Sequence, residues 1–113
     1  QNHINDFSKM IEPILNRYNF SYSVTMTTFG NYCFDATIPL VYDPKDKDET
    51  RNAQQCYDAA LRACLQKEYI PYRIGIQSMK EIMGEKTDHY RLVNKIKSAI
   101  DPNGILSPGR YHW

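Results

Sequence analysis

The sequence predicts an α+β fold: one antiparallel hairpin between two helices, in the order α-β-β-α, followed by a helical C-terminal segment. Three observations predict it. Phe7, Ile11, Ile14, Leu15 and Tyr18 recur at helical spacing, as do Ala53, Tyr57, Ala60, Leu61, Cys64 and Leu65. Two alternating runs lie between them, separated by Gly30 and Asn31. A further helical stripe ends at Asp101-Pro102, where the proline disfavours α geometry in the residue before it.

Taken in order, the first helix has Asn5 or Asp6 as its expected N-cap and Asn19 at its end. Pro13 cannot donate to the carbonyl of Lys9, which predicts a kink or two short pieces. From Ser21 to Thr27, Tyr22, Val24 and Met26 face one side and the serines and threonines the other, the pattern of a half-buried strand. Its partner is expected over Tyr32 to Tyr42, with Tyr32, Phe34, Ala36, Ile38 and Leu40 on one side. Pro39 puts that strand at an edge or an irregularity.

The charged turn Asp43-Pro-Lys-Asp-Lys-Asp leads to a helix from about Thr50 to Glu68, whose small residues at positions 53, 59, 60 and 63 allow close packing. Tyr69 to Ile76 reads as an extended segment able to add a third strand, although Pro71 and Gly75 break it. A short helical turn over Ser78 to Met83 stops at Gly84. The last helix starts near Thr87 or Asp88 and is expected to bury Leu92, Val93, Ile96 and Ile100, with Arg91, Lys95 and Lys97 outside. So small a sheet covers little core, so the chain reads as part of something larger, with Pro71 as the best place for a change of packing partner.

The chain has 113 residues and 42 % hydrophobic content, enough for one core. Fourteen basic residues against thirteen acidic ones give a net charge of +1, so no global field gathers nucleic acid or an anionic membrane. No stretch approaches the roughly 18 apolar residues of a membrane span, and the N-terminus lacks a signal-peptide pattern. Cys33, Cys56 and Cys64 are odd in number and widely spaced, which argues for free buried thiols over a disulfide framework or a metal site. His3, His89 and His112 are scattered, and no phosphate loop, zinc-protease helix or nucleophile elbow is present.

Two stretches stand out. In Lys95 to Arg110 a helix end passes into Asp101-Pro102-Asn103-Gly104, where Asn103 and Gly104 suit a turn with positive φ. Ile105 and Leu106 then return to a core, and Ser107-Pro108-Gly109 bends the chain to leave Arg110 at a fixed elbow. This is either a helix terminator with a hydrophobic plug or the frame of a site. The other stretch sets Tyr72 beside Arg73, after Pro71 and before Gly75. In a strand the two side chains diverge and read as an interface tyrosine and a surface cation. On an irregular turn both can reach one anionic oxygen, and together they would hold a phenolate.

These stretches also carry a resemblance. Asp-Pro-Asn-Gly-Ile-Leu (101–106), a small residue and Pro108-Gly109-Arg110 resemble the C-terminal segment of flavin-linked oxidases. Pro71-Tyr-Arg-Ile-Gly-Ile-Gln-Ser-Met79 is similar to a second motif, which narrows the resemblance to the vanillyl-alcohol oxidase and p-cresol methylhydroxylase (4-cresol dehydrogenase) family. The resemblance implies that the hairpin and its helices are a ferredoxin-like half of a flavoenzyme cap domain. Residues 1–70 would end that substrate domain, and residues 71–113 would return to the FAD-binding domain.

It further implies FAD as cofactor, a small phenolic substrate, and hydride loss from the benzylic carbon to give a p-quinone methide. Tyr72 would be the phenol-binding donor, Arg73 the counter-charge to phenolate and flavin, and Arg110 a cation on the flavin side. Many relatives carry a histidine pair where this chain has Asp35-Ala36, so Asp35 is either a pocket acid or base or an ordinary strand carboxylate. The rest of the parent flavoprotein would lie upstream of Gln1, leaving the 113 residues inactive alone and the acceptor open between oxygen and a cytochrome.

Two other readings stand beside this one. An FAD-linked 2-hydroxy-acid dehydrogenase shares the Asp-Pro-Asn-Gly-Ile-Leu turn but gives no reason for Tyr72-Arg73. A non-catalytic α+β binding module would use its tyrosine-rich sheet as a contact surface. Convergence of Tyr72, Arg73 and Arg110 on one face, with the apolar side of the sheet uncovered, would favour the flavoenzyme; a chain closed on all sides, with a small basic patch and no cavity, would favour the module.

Overall fold

The computed structural model describes residues 2–30, 33–83 and 87–110. The chain divides into two compact units, Gln1–Tyr72 and Arg73–Trp113. The first unit contains α1 (Asn2–Arg17), β1 (Thr25–Phe29), β2 (Cys33–Thr37) and α2 (Lys47–Gln66), and the second contains α3 (Ile76–Met83) and α4 (Asp88–Ile100). The fold is therefore α+β, with a two-stranded antiparallel sheet and four helices among the described residues.

In the first unit Phe7, Ile11 and Leu15 of α1 meet Cys56 of α2 in a fully buried cluster. Val24, Met26, Ala36, Ile38 and Leu40 pack against it from the hairpin and its flanks. The apolar face expected from the alternation is thus the one that meets the helices. Asn52 of α2 donates to the carbonyl of Tyr18 at 2.7 Å, fastening the second helix to the end of the first. Phe7 and Tyr69 add an edge-to-face pair with ring centroids 5.4 Å apart.

α1 begins at Asn2, so neither Asn5 nor Asp6 caps it, and it runs through Pro13 as one helix. Pro13 lies on the exposed face with Lys9 and Glu12, where water can satisfy the carbonyl that the proline leaves without a donor. Asn19 does end the helix: its φ is +59°, and Phe20 N–H returns to the carbonyl of Leu15 at 2.9 Å. The strands are shorter than their alternation suggests, because the ladder holds only the five pairs from Thr25 opposite Thr37 to Phe29 opposite Cys33. Gly30 supplies the positive φ of the connection, while Asn31 and Tyr32 lie outside the described residues.

α2 starts earlier than expected because Asp46 caps it, accepting from the N–H groups of Asp48 and Glu49. Its buried residues are Ala53, Cys56 and Leu61; Tyr57, Ala60, Cys64 and Leu65 are half-buried. Of the three thiols only Cys56 is fully buried, and Cys33 is exposed. Tyr69 to Gly75 forms no third strand, since Pro71 removes a ladder donor and the chain bends at Tyr72 and Arg73 before α3 begins.

In the second unit Thr87 caps α4, its hydroxyl accepting from Tyr90 N–H at 3.1 Å. The stop expected at Gly84 lies outside the described residues. The expected burial of the α4 stripe does not occur: Leu92, Ile96 and Ile100 are exposed, Ile100 by 69 %, and Val93 is half-buried. An eight-residue and a thirteen-residue helix offer too little surface to cover such a stripe. Buried in this unit are Ser78, Met79 and Asp101.

Substituting Ile11 by Ala, which opens a cavity at a fully buried position, should destabilise the protein by about 2–5 kcal/mol in urea unfolding. Pro13→Ala should have the opposite sign, because an exposed helix position gains a backbone donor and helix propensity of up to about 3 kcal/mol. A loss of stability in Pro13→Ala would contradict the continuous helix.

Candidate functional site

The polar centre of the second unit is Asp101, the C-cap of α4. Its Oδ1 accepts from Ile105 N–H at 2.9 Å and its Oδ2 from Leu106 N–H at 2.8 Å. Lys97, one turn back on α4, donates its ammonium both to Oδ2 of Asp101 and to the carbonyl of Leu106. The pair is secluded, with side-chain exposure of 15 % for Lys97 and 5 % for Asp101. The Lys97 hydrogen bond, helped by the two backbone N–H groups, lowers the Asp101 carboxyl to about 2 despite its burial.

These bonds shape the segment that follows. Gly104 N–H returns to the carbonyl of Asp101 at 3.1 Å, closing a turn with Pro102 at its second position; Gly104, not Asn103, takes the positive φ of +64°. Ile105 and Leu106 are tied by their backbones, so their side chains face outward, 74 % and 59 % exposed, and do not rejoin a core. Ser107 has a φ of +44°, uncommon for a residue with a Cβ. Pro108 and Gly109, the latter at φ +75°, complete a turn closed by Arg110 N–H on the carbonyl of Ser107 at 3.1 Å.

Arg110 is exposed at the end of that turn, and Arg73 is exposed at the start of the same unit. A Cβ on Gly109 would lie 3.7 Å from Cγ2 of Ile76, three residues after Arg73. Gly109 thus approaches the start of α3, and Arg73 lies three residues of chain before that point, a span of about 11 Å at most. Tyr72, 74 % exposed, is the last residue of the first unit and shares the bend with Arg73. The backbone there is irregular and not a strand.

Asp35 is half-buried on β2 opposite Thr27. Because the neighbouring pair, Met26 and Ala36, packs on the core, Asp35 and Thr27 point to the other face of the sheet. A groove of about 300 Å³ in the first unit is lined by Asp6, Lys9, Met10, Lys67 and Tyr69, none of them an expected site residue. Burial raises the thiols of Cys56 and Cys64, which makes them poor nucleophiles. His3 and His89 are exposed, and no metal-binding cluster occurs among the described residues.

Lys97 was expected on a solvated face with Arg91 and Lys95; only the latter two are exposed. Lys97 turns inward because Asp101, four residues later, presents a carboxylate on the same face of the helix end. That spacing, with an Asp ahead of Pro-Asn-Gly, was the signal available in the sequence.

The chain matches the family of FAD linked oxidases, C-terminal domain, over residues 2–111. It belongs to that family, and the cofactor is FAD. The 1'-carboxy-chondrochloren decarboxylase of Chondromyces crocatus is 33 % identical over 81 residues, covering 72 % of this chain and 15 % of the relative. The 4-cresol dehydrogenase [hydroxylating] flavoprotein subunit of Pseudomonas putida is 28 % identical over 102 residues, covering 89 % of this chain and 19 % of the relative. The chain thus spans less than a fifth of the length of these curated relatives. No solved structure matches it.

The lowered Asp101 carboxyl has a consequence for acid stability. Its value falls from an ordinary 3.8 to about 2 in the folded chain, so its stabilisation is fully present above about pH 4. It is lost as the pH drops towards about 2. Urea midpoints measured across that interval should fall steeply in the natural protein and less so in Asp101→Asn, which starts lower and has no carboxylate to protonate.

Proposed function

We propose that this chain is the C-terminal portion of an FAD-dependent oxidoreductase that oxidises 4-alkyl or 4-hydroxymethyl phenols through a p-quinone methide. Residues 1–70 would be the end of its cap domain and residues 71–113 the segment that returns to the FAD-binding domain. FAD, when bound, accepts the hydride. The observation that carries the reading is the bend at Tyr72 and Arg73, which sets a phenol and a permanent cation on irregular backbone. The name of the Pseudomonas putida relative, a cresol dehydrogenase, supports the substrate class.

The energetics suit that role. Holding a phenol of pKa about 10 as its anion near neutral pH requires about 4 kcal/mol. Charge-assisted hydrogen bonds contribute about 1.5–3 kcal/mol each, so a tyrosine hydroxyl and a guanidinium together are of the required size. The anion matters because its charge, delocalised through the ring, drives loss of the benzylic hydride. Arg73 and Arg110 would offset negative charge on the flavin side. Two exposed arginines in the second unit suit that purpose, since a guanidinium presents several N–H donors and a delocalised positive charge.

Asp35, on the sheet face away from the helices, would be a contact to the substrate in place of the family's histidines. The exposed stripe of Leu92, Ile96 and Ile100 would pack on the rest of the flavoprotein, which is why the 113 residues alone should be inactive and prone to associate. The electron acceptor, oxygen or a cytochrome, would be selected outside this chain. A second reading rests on the name of the Chondromyces crocatus relative, a decarboxylase: the same anion-holding pair would then retain a phenol that loses carbon dioxide.

Anaerobic addition of 4-cresol or vanillyl alcohol to the full-length protein should bleach its flavin absorbance. Arg73→Ala should slow that step about ten- to hundredfold, the kinetic equivalent of one charge-assisted hydrogen bond. Bound flavin indifferent to phenols, with carbon dioxide released from a carboxylated phenol, would replace the first reading by the second. A full-length protein that binds no flavin would defeat both.

A further inference from the structure

We propose that Asp101 and Lys97 are positioning residues for Arg110, forming a clasp that fixes where the guanidinium is presented to the flavin. The inference rests on the reading of Arg110 as a flavin-side cation.

The clasp takes hold of consecutive peptide groups just ahead of the elbow. Asp101 holds the N–H groups of Ile105 and Leu106, and Lys97 holds both Asp101 and the carbonyl of Leu106. That carbonyl belongs to the peptide group leading into Ser107, whose positive φ is unfavourable for a residue with a side chain. With both faces of residue 106 fixed, Ser107 has little freedom to relax. Pro108 then fixes its own φ, Gly109 accepts the positive φ the turn needs, and Arg110 follows four residues after the carbonyl that Lys97 holds, its N–H bonded to the carbonyl of Ser107. A helix terminator alone needs one capping bond; here a secluded ion pair spends its hydrogen bonds on the exit path.

The sign of an electrostatic readout separates this role from a direct effect of charge. Neutralising Asp101 removes an anion, which by Coulomb's law alone raises a nearby flavin's midpoint potential. Releasing Arg110 removes a cation from the flavin and lowers it. The test measures midpoint potentials of the full-length, FAD-loaded protein by reference-dye equilibration. Arg110→Ala should lower the potential. Asp101→Asn should lower it by a smaller amount, and should add nothing in the Arg110→Ala background.

Lys97→Met keeps the stem and deletes the ammonium, and it should behave as Asp101→Asn does. Should Asp101→Asn fail to fold, Lys97→Met decides through its additivity with Arg110→Ala. An upward or absent shift in Asp101→Asn, or additive shifts with Arg110→Ala, overturns the clasp while leaving Arg110 its flavin role. No shift in Arg110→Ala itself overturns that role and the clasp with it. Lower thermal stability with an unchanged potential marks a purely structural cap and also overturns the proposal.

Discussion

A carboxylate one residue beyond a helix takes its donors from whatever the chain brings back to it. Asp101 takes two backbone N–H groups and an ammonium. The last turn of α4 and the segment after it are thereby tied at one point, and Gly104 is what lets the chain return so soon. Ile100, Ile105 and Leu106 beside it are all exposed and do not share the task. In this unit a polar contact does what a hydrophobic plug does at most helix ends, so its geometry responds to charge and not only to packing volume.

The first unit follows the opposite principle. α1 and α2 close a buried cluster around Ile11, Leu15 and Cys56, and a five-pair hairpin rests its apolar face on it. A hairpin this short does not hold in water by itself, so its register depends on that helix pair. The raised thiols of Cys56 and Cys64 fit a purely structural core.

The sequence was most legible where one local rule acts alone. Alternation in Val24-Met26 and Ala36-Ile38-Leu40 marked the face that meets the core, Asn19 and Thr87 marked helix boundaries, and Pro102 marked the end of the last helix at Asp101. It was least legible where two rules compete. Pro13 reads as a break, yet on an exposed face its cost is borne by solvent and the helix continues. The periodicity of Leu92, Ile96 and Ile100 identified an apolar stripe but not what covers it, because period reports a shared face and never its partner. Lys97 was hidden by its neighbours: three cations on one helix read as a solvated face until the Asp101 carboxylate singles one out. At Tyr72 and Arg73 the residue types were plain, and only the backbone distinguished a bend from a strand.

The kinds of side chain at these positions bear on what sort of help the segment can give a reaction. Among the described residues His3 and His89 are exposed, and the carboxylate with the most distinctive surroundings, Asp101, is already committed to its bonds with Lys97, Ile105 and Leu106. Among the described residues, the bend carries a phenol and a guanidinium at Tyr72 and Arg73, and the elbow a second guanidinium at Arg110. Under the proposed function these groups would stabilise negative charge and leave proton transfer to others. Oxidation of a phenol asks for that division: the anion supplies the electron push, and the protein keeps it an anion. In the proposed flavoprotein the segment would act as a fixed positive field, whose effect depends on where the guanidinium groups stand, and a polar clasp is then a fitting device with which to place one of them.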